Sequence, residues 1–204
     1  MSKKYLIESL IQNGFSKQTV RAFEAISREE FISTDLLDSA YEDVALPIGE
    51  EQTISQPYTI AVMLDLLDLK LGQKVLELGS GSGYVLALLS HIIGKKGKVY
   101  GIEIVKELAE NSKERLDKNK NIKIYNKSGA KGLPEAAPFD RILISAAIEE
   151  VPKNILKQLK PNGLLVAPVG AYGMEQTLTA FQRKKSKFVI KEERHGFVFV
   201  RFVD

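Results

Sequence analysis

The chain has 204 residues, of which 44% are hydrophobic and 27% charged, and its formal net charge at pH 7 is +3. These values are typical of one soluble globular domain, and so small a charge does not by itself indicate a nucleic-acid partner. The sequence has no cysteine and only two histidines, His91 and His195. This composition excludes a disulfide framework and a thiolate nucleophile, and it disfavours a His-rich metal centre.

No targeting or membrane-spanning segment is predicted. Charges and amides interrupt the apolar residues of the first fifteen positions, so this stretch does not resemble a signal peptide. No apolar run approaches the roughly 20 residues that a membrane span needs. We therefore expect a cytoplasmic protein that binds no membrane.

The amino-terminal third is predicted to contain three helices and one irregular segment. Apolar residues recur at helical spacing over residues 5–11 and again over 20–26. Residues 40–57, AYEDVALPIGEEQTISQP, are rich in turn formers. An apolar run then predicts a helix over residues 58–69.

From Lys74 onwards, predicted strands and helices alternate. Strands are expected over 74–78, 98–104, 121–126, 139–147 and 163–170, a hairpin over 176–184 and 187–193, and a last strand over 195–203; helices are expected over 84–93, 105–119 and 151–159. Alternation of this kind predicts a doubly wound α/β fold with a mostly parallel, seven-stranded, Rossmann-like sheet and an N-terminal helical extension. We expect a single domain over 1–204, with N-terminal helices and substrate loop (1–58), a cofactor-binding core (59–170) and C-terminal strands (171–204).

A glycine-rich loop, GSGSG, comes after the first strand of the alternating region and precedes a helix. Its glycines, Gly79, Gly81 and Gly83, would allow close approach of the backbone to a ligand at the first crossover of the sheet. Glu103 ends the next strand, where an acid can accept hydrogen bonds from both ribose hydroxyls of an adenosine. A purely structural turn is the alternative interpretation of the loop.

The spacing of the glycines favours one nucleoside cofactor over another. A dinucleotide-binding loop reads G-x-G-x-x-G, whereas this loop reads G-x-G-x-G and is preceded by the acid Glu77. An acidic residue beside the loop suits a ligand that carries an ammonium and a sulfonium better than one that carries phosphates. The pattern predicts a class I S-adenosylmethionine-dependent methyltransferase rather than a nicotinamide oxidoreductase.

The segment after the fourth strand limits which chemical groups are expected to accept the methyl group. Enzymes that methylate base amines usually carry Asn/Asp-Pro-Pro-aromatic there, to stack and hydrogen-bond a flipped base. This chain reads ISAAIEEVP at that position, with no aromatic residue and no Pro-Pro. A nucleobase amine is therefore disfavoured.

Four stretches together, ALPIGEEQTISQPY, VLELGSGSGY, FDRILISAA and LKPNGLLVAPVG, resemble the protein-L-isoaspartate O-methyltransferase family. LPIGEEQTISQPY is the specific one, because the glycine loop and LKPNG occur in many methyltransferases. The resemblance implies methyl transfer from S-adenosylmethionine to the α-carboxylate of L-isoaspartyl residues in damaged proteins, which starts their repair. It also implies S-adenosyl-L-homocysteine as the product, isoaspartyl proteins and peptides as partners, and no nucleic acid; we expect a monomer.

The resemblance also carries site residues over to this chain. It implies a catalytic role for Ser55, whose hydroxyl would donate to the substrate carboxylate; capping of the helix after Pro57 is the competing interpretation. Thr53, Ile54 and Gln56 would shape the substrate pocket. The cofactor would be held by the set Glu77, Gly79, Ser80, Gly81, Ser82, Gly83, Glu103, Ile104, Ser128 and Gly129.

The chain departs from the family pattern at two places. The family usually has Gly-Asp-Gly after the third strand, where this chain has Lys127, Ser128 and Gly129, and a neutral acceptor is weaker than a charged one. The last strand reads FVRFV in place of FVPL, which puts Arg201 near the expected substrate. Two alternatives stay open: a methyltransferase acting on a small molecule or RNA, and a non-catalytic S-adenosylmethionine-binding homologue.

Overall fold

A seven-stranded sheet forms the centre of the computed structural model, which describes residues 1–203. Its strands are β3 (Lys74–Leu78), β4 (Lys98–Glu103), β5 (Ile122–Asn126), β6 (Phe139–Ile144), β7 (Leu159–Val169), β8 (Gln176–Lys184) and β9 (Lys187–Phe197). The spatial order is β5-β4-β3-β6-β7-β8-β9. The first five strands in this order are parallel, and β8 is antiparallel to both of its neighbours. The predicted doubly wound, mostly parallel sheet is confirmed.

Six α-helices accompany the strands in the described residues: α1 (Lys3–Gln12), α2 (Lys17–Ala25), α3 (Pro57–Leu67), α4 (Tyr84–Ile93), α5 (Lys106–Arg115) and α6 (Lys153–Leu156). None of them combines the length and the apolar character of a membrane span. The helices α1 and α2 form the predicted N-terminal extension, and their buried residues Leu6, Leu10, Val20 and Phe23 join the same apolar cluster as α3 and α4.

Alternation along the strands sends side chains to two separate apolar layers. In β3, Val75 belongs to the cluster that holds α3 and α4, whereas Leu76 and Leu78 belong to the cluster on the other face. Because successive residues of a strand point to opposite faces, Glu77 shares the face of Val75. The fold thereby places a carboxylate on the α3–α4 side of the sheet, close to its carboxyl edge.

The segment before α3, expected to be irregular, contains a small hairpin of β1 (Leu46–Gly49) and β2 (Gln52–Ile54). Its turn residues, Glu50 and Glu51, both have positive φ, at 52° and 56°. Positive φ at both residues is the backbone of a type I′ hairpin turn, for which Asn-Gly or Asp-Gly is the usual sequence signal. Two glutamates carry no such signal, so the pattern did not reveal the hairpin.

The carboxyl-terminal segment differs from the prediction. One long strand, β9, covers Lys187–Phe197, and the chain then leaves the sheet instead of forming a separate strand over 195–203. Phe197 and Phe199 are buried and Val198 is exposed, so the alternation that indicated a strand is real. The hydrogen bonds of this segment nevertheless do not form a strand ladder. The Gln176 side chain accepts from the Phe199 N–H, and Arg201 forms an isolated bridge to Ala147.

Candidate active site

The candidate site lies at the carboxyl ends of β3, β4 and β6. In doubly wound sheets, ligands bind at this edge where the strand order reverses, and here β3 lies between β4 and β6. The loop of residues 79–83 comes directly after β3, Glu103 ends β4, and Ser145 comes directly after β6. Three parts of the chain that are far apart in sequence therefore meet at one crevice.

The glycine loop is held by β4 rather than left open for a phosphate. The N–H groups of Gly79 and Ser80 both donate to the Ile102 carbonyl, at 2.9 and 3.1 Å. The Gly81 N–H donates to Glu103 Oε2 at 2.7 Å. With these donors engaged and two carboxylates adjacent, the loop is a poor pyrophosphate site. This geometry favours the predicted ligand class over a dinucleotide.

Gly81 and Gly83 are required for different steric reasons. Both have positive φ, at 48° and 86°. A Cβ on Gly81 would lie 3.1 Å from Ile48 in the β1–β2 hairpin, whereas one on Gly83 would lie 2.9 Å from Leu116, just after α5. Gly83 lines neither of the two cavities at the crevice, so the structure gives it a packing position between α4 and α5.

Glu103 is 5% exposed, and both of its carboxylate oxygens are positioned by the backbone. Oε2 accepts from Gly81 and Oε1 accepts from the Val105 N–H at 2.9 Å. A carboxylate oxygen has two lone pairs, so each retains acceptor capacity for a ligand hydroxyl. The side chain is thus pre-oriented for the ribose contacts predicted from the sequence.

Glu77 is a buried carboxyl group with only one partner in the described residues. Its Oε1 accepts from Ser145 Oγ at 2.7 Å, and its Oε2 is buried without a hydrogen bond. Burial, with a further contribution from the Glu103 charge, raises the pKa of Glu77 to about 8, against the opposing effect of the Ser145 hydrogen bond. A buried carboxyl group with a free oxygen is a site prepared for a cationic ligand.

Two adjoining cavities, of about 300 Å³ and 40 Å³, open at this crevice. Thr53, Gly79, Gly81 and Ser145 line both. The larger is also lined by the predicted residues Glu103, Ile104 and Gly129, and the smaller by Ile54, Ser55, Glu77, Ser80 and Ser82. Most of the residues predicted from the sequence are therefore brought together around one divided space.

Ser55 is a half-buried residue that lines the smaller cavity together with residues of the glycine loop. It does not cap α3: the helix begins at Pro57, and the Tyr58 N–H donates to Asp43 Oδ1 at 2.8 Å. The capping interpretation of Ser55 is therefore wrong, and its hydroxyl is not engaged by the helix. Gln56 is separated from this group, since it lines a different cavity of about 750 Å³ bounded by α3 and the end of β9.

Ser128 also lies outside both cavities at the crevice. It is half-buried, and its Oγ accepts from the Ala130 N–H at 3.2 Å. Its neighbour Gly129 does line the larger cavity, where the Phe202 ring would lie 3.1 Å from a Cβ at that position. The absence of a side chain at Gly129 thus makes room for the carboxyl-terminal segment.

Sequence reasoning missed several residues that line the site. The exposed Arg201 was anticipated as a departure, but Ile48, Ser145 and Phe202 were not. Ser145 was missed because the strand was predicted over 139–147, whereas it ends at Ile144 and so leaves Ser145 at the edge where ligands bind. Ile48 and Phe202 carry no local signal, since only long-range packing brings them to the crevice.

The described residues fit S-adenosylmethionine. The free Oε2 of Glu77 offers a partner for an ammonium, and the oriented Glu103 carboxylate offers acceptors for a ribose. The fold and this site together are those of a class I S-adenosylmethionine-dependent methyltransferase.

Comparisons with known proteins identify the family. The model of the protein-L-isoaspartate(D-aspartate) O-methyltransferase family matches residues 1–204. A protein-L-isoaspartate O-methyltransferase of Ignicoccus hospitalis is 41% identical over 93% of this chain and 92% of its own length. One of Methanothrix thermoacetophila is 38% identical over 100% and 95%. The chain belongs to the protein-L-isoaspartate(D-aspartate) O-methyltransferase family.

Solved structures agree. A protein-L-isoaspartate O-methyltransferase superposes with a TM-score of 0.90 at 30% identity, covering 98% of this chain and 65% of that longer chain. A Plasmodium falciparum protein assigned to the family, in complex with S-adenosyl-L-homocysteine, gives 0.86 at 26% identity, covering 100% and 99%. The predicted family, fold class, enzyme class and cofactor are confirmed.

Proposed function

We propose that this protein transfers a methyl group from S-adenosylmethionine to the α-carboxylate of L-isoaspartyl residues in damaged proteins and peptides. The observation that carries the proposal is that Ser55, in the family's specific motif, lies on the same small cavity as Glu77 and the glycine loop. The match to the family over the whole chain supports the isoaspartyl substrate.

The substrate chemistry explains why the site needs no histidine or cysteine. An ordinary carboxyl group has a pKa of about 4 and is already an anion at pH 7, so it attacks without a general base. When bound, S-adenosylmethionine supplies a methyl group made electrophilic by the sulfonium. The protein has to align the carboxylate with that methyl group and exclude water, and alignment alone can supply several kcal/mol.

We assign each predicted residue a role on this basis. Ser55 Oγ donates to the substrate carboxylate without neutralising it, and Thr53 and Ile54 shape the pocket around it. Glu77 holds the cofactor ammonium and Glu103 the ribose hydroxyls, while Gly79, Ser80, Gly81, Ser82, Ile104, Ser128 and Gly129 complete the cofactor site. Gln56 contributes from the neighbouring cavity, and Gly83 contributes by setting the packing of α4 against α5.

The deciding experiment measures transfer of a radiolabelled methyl group to two peptides that differ only in L-isoaspartate or normal aspartate. We expect base-labile label on the isoaspartyl peptide alone. Ser55→Ala should lower this transfer about tenfold or more, since a hydrogen bond to a charged group is worth roughly 1.5–3 kcal/mol. Ser186→Ala, in the exposed β8–β9 turn, is the matched control.

Two results would overturn the proposal. Methyl transfer that an excess of isoaspartyl peptide does not compete away would indicate a small-molecule or RNA substrate. Binding of S-adenosylmethionine with no transfer to either peptide would indicate a non-catalytic homologue.

Five finer features complete the proposal and stay predictions. We propose that the protein acts as a monomer in the cytoplasm, binds neither nucleic acid nor membranes, and folds as one domain over 1–204. The net charge of +3 supports the proposal on nucleic acid, because the chain has no strong basic excess.

A further inference from the structure

A buried arginine contacts the backbone of the segment 44–55, which contains the β1–β2 hairpin and Ser55 and which we call the substrate loop. Arg28 begins a short 3₁₀ helix (Arg28–Phe31) and is 0% exposed. Its guanidinium donates to the carbonyl oxygens of Ser55 at 2.8 Å, Val44 at 3.2 Å and Ile54 at 3.5 Å. All three partners are backbone groups, so the side chain depends on the path of the chain and not on the identity of its residues.

These carbonyls belong to both ends of the β1–β2 hairpin. Val44 precedes the hairpin, and Ile54 and Ser55 close it. An isolated two-stranded hairpin is only marginally stable in water, so its closure depends on such contacts. The rigid fork of the guanidinium fixes both ends at once, which a flexible ammonium cannot do.

The same guanidinium connects the loop to the cofactor side of the site. It lies 5.6 Å from the centroid of the Tyr84 ring, and Tyr84 is the first residue of α4, directly after the glycine loop. Tyr84 also lines the small cavity that Ser55 lines. Arg28 therefore joins the backbone of the substrate loop to the helix that comes after the cofactor loop.

The charge of Arg28 is not neutralised by an ion pair. Within residues 1–203 no carboxylate lies within 4.0 Å of its guanidinium, and its Nε is buried without a partner. Burial lowers its pKa to about 10, which leaves it charged at neutral pH. Three carbonyl groups, Tyr84 and the more distant charge of Asp43 offset part of the cost of burying this cation.

We propose that Arg28 is a positioning residue for the reaction: it holds the backbone of Ser55 in place and supplies a positive charge, one layer behind the pocket, that attracts the anionic substrate carboxylate. An arginine inside the pocket would pair with that carboxylate and weaken it as a nucleophile. A cation held behind the loop attracts the carboxylate without pairing with it. This inference rests on the proposed function, because it takes an anionic acceptor as given.

The test compares Arg28→Met and Arg28→Lys with the matched pair Arg141→Met and Arg141→Lys in the full-length protein. Arg141 is also buried and also donates to carbonyl groups, those of Leu67, Asp68 and Asp140, at the far end of α3; unlike Arg28 it has a carboxylate, that of Asp68, at 3.9 Å. Both methionine variants should lower stability. Only Arg28→Met should raise the KM for the isoaspartyl peptide, by about tenfold or more, while S-adenosyl-L-homocysteine affinity stays within about threefold of wild type.

The lysine variant separates charge from geometry. Arg28→Lys restores the charge, so its KM should return most of the way to the wild-type value. Its kcat should stay low, because the planar guanidinium that binds both ends of the hairpin is lost. A peptide KM no more affected by Arg28→Met than by Arg141→Met would overturn the proposal. So would an Arg28→Lys variant no better than Arg28→Met in KM, or one equal to wild type in kcat.

Hydrogen exchange provides a readout that does not depend on activity. The backbone amides of residues 54–56 should exchange faster in Arg28→Lys than in wild type or in Arg141→Lys. Unchanged exchange would overturn the positioning role even in a protein that methylates nothing. If wild type is inactive but Arg28→Lys shows the expected faster exchange, the proposed function is overturned, whereas the role of Arg28 in holding the Ser55 backbone is supported.

Discussion

The carboxylate of Glu103 accepts a hydrogen bond of 2.7 Å from the N–H of Gly81, across the gap between the ends of β4 and β3. This contact gives an acidic side chain two duties, since the same carboxylate that faces the larger cavity also fixes the shape of the glycine loop. Charge-assisted bonds of this kind are short and roughly twice as strong as neutral ones. The shape of the glycine loop and the position of the Glu103 carboxylate, the expected acceptor for the ribose hydroxyls, therefore depend on each other.

Glu103→Gln should weaken cofactor binding without changing the fold. An amide offers one acceptor oxygen and no charge, so we expect S-adenosyl-L-homocysteine affinity to fall by roughly 10- to 100-fold, equivalent to about 1.5–3 kcal/mol. Calorimetric titration measures this directly. Glu107→Gln, at an exposed position in the first turn of α5, is the control and should bind normally. Equal affinities for the two variants would contradict the role of Glu103.

Glu77 should make the ligand-free protein less stable as pH rises. Its pKa is raised in the folded protein from an ordinary value of 4.5 to about 8, so the native state binds more protons between these values. Its contribution to stability is therefore fully present below about pH 4.5 and is lost as pH rises through about 8, by an amount on the order of 5 kcal/mol at most.

Glu77→Gln removes this dependence. Without cofactor, wild type should lose stability relative to Glu77→Gln between pH 5 and pH 9, in chemical denaturation at each pH, and Glu107→Gln should behave like wild type. Parallel curves for wild type and Glu77→Gln would show that the buried carboxyl group does not titrate in this range.

Gly83→Ala should destabilise the protein through packing. The new Cβ would meet Leu116 at 2.9 Å and Ser112 at 3.1 Å, and overpacking of this kind costs about 1–3 kcal/mol. Gly14→Ala is a matched control, because Gly14 has a similar φ of 78° and nothing within 4 Å of the new atom. Its loss should be limited to the backbone strain of about 1 kcal/mol. Identical losses in thermal or chemical unfolding would refute the packing explanation.

Ser128→Asp should strengthen cofactor binding. Ser128 precedes Gly129, which lines the larger cavity, and already accepts from the Ala130 N–H, a contact that an aspartate can keep. The resemblance places a charged acceptor here, so we expect affinity for S-adenosyl-L-homocysteine to rise by up to about tenfold. Lys131→Gln, at an exposed position three residues later, controls for the same change of one negative charge unit. A Ser128→Asp protein that binds no better than wild type would contradict a role for a charged acceptor at this position.

Local sequence patterns were sufficient to predict those elements whose signal lies within their own residues. The last strand predicted over 195–203 was wrong, but the alternating strands and helices from Lys74 to the β8–β9 hairpin, the glycines of the loop and the acid at the end of β4 were all predictable. Each depends on the period of apolar residues or on a turn that only glycine makes easily. The β1–β2 hairpin was not predictable in this way, because Glu50 and Glu51 adopt positive φ without the usual residues.

The sequence by itself determined most of the order of the elements and the class of the cofactor, because these depend on spacing within one segment. The tertiary structure decided the rest: that Asp43 caps α3 so that Ser55 is free, that Ser145 holds Glu77, and that Arg28 clamps the loop. Those partners are 15 to 68 residues apart. No local pattern encodes such contacts, since they arise only when the sheet order brings distant strand ends to one edge.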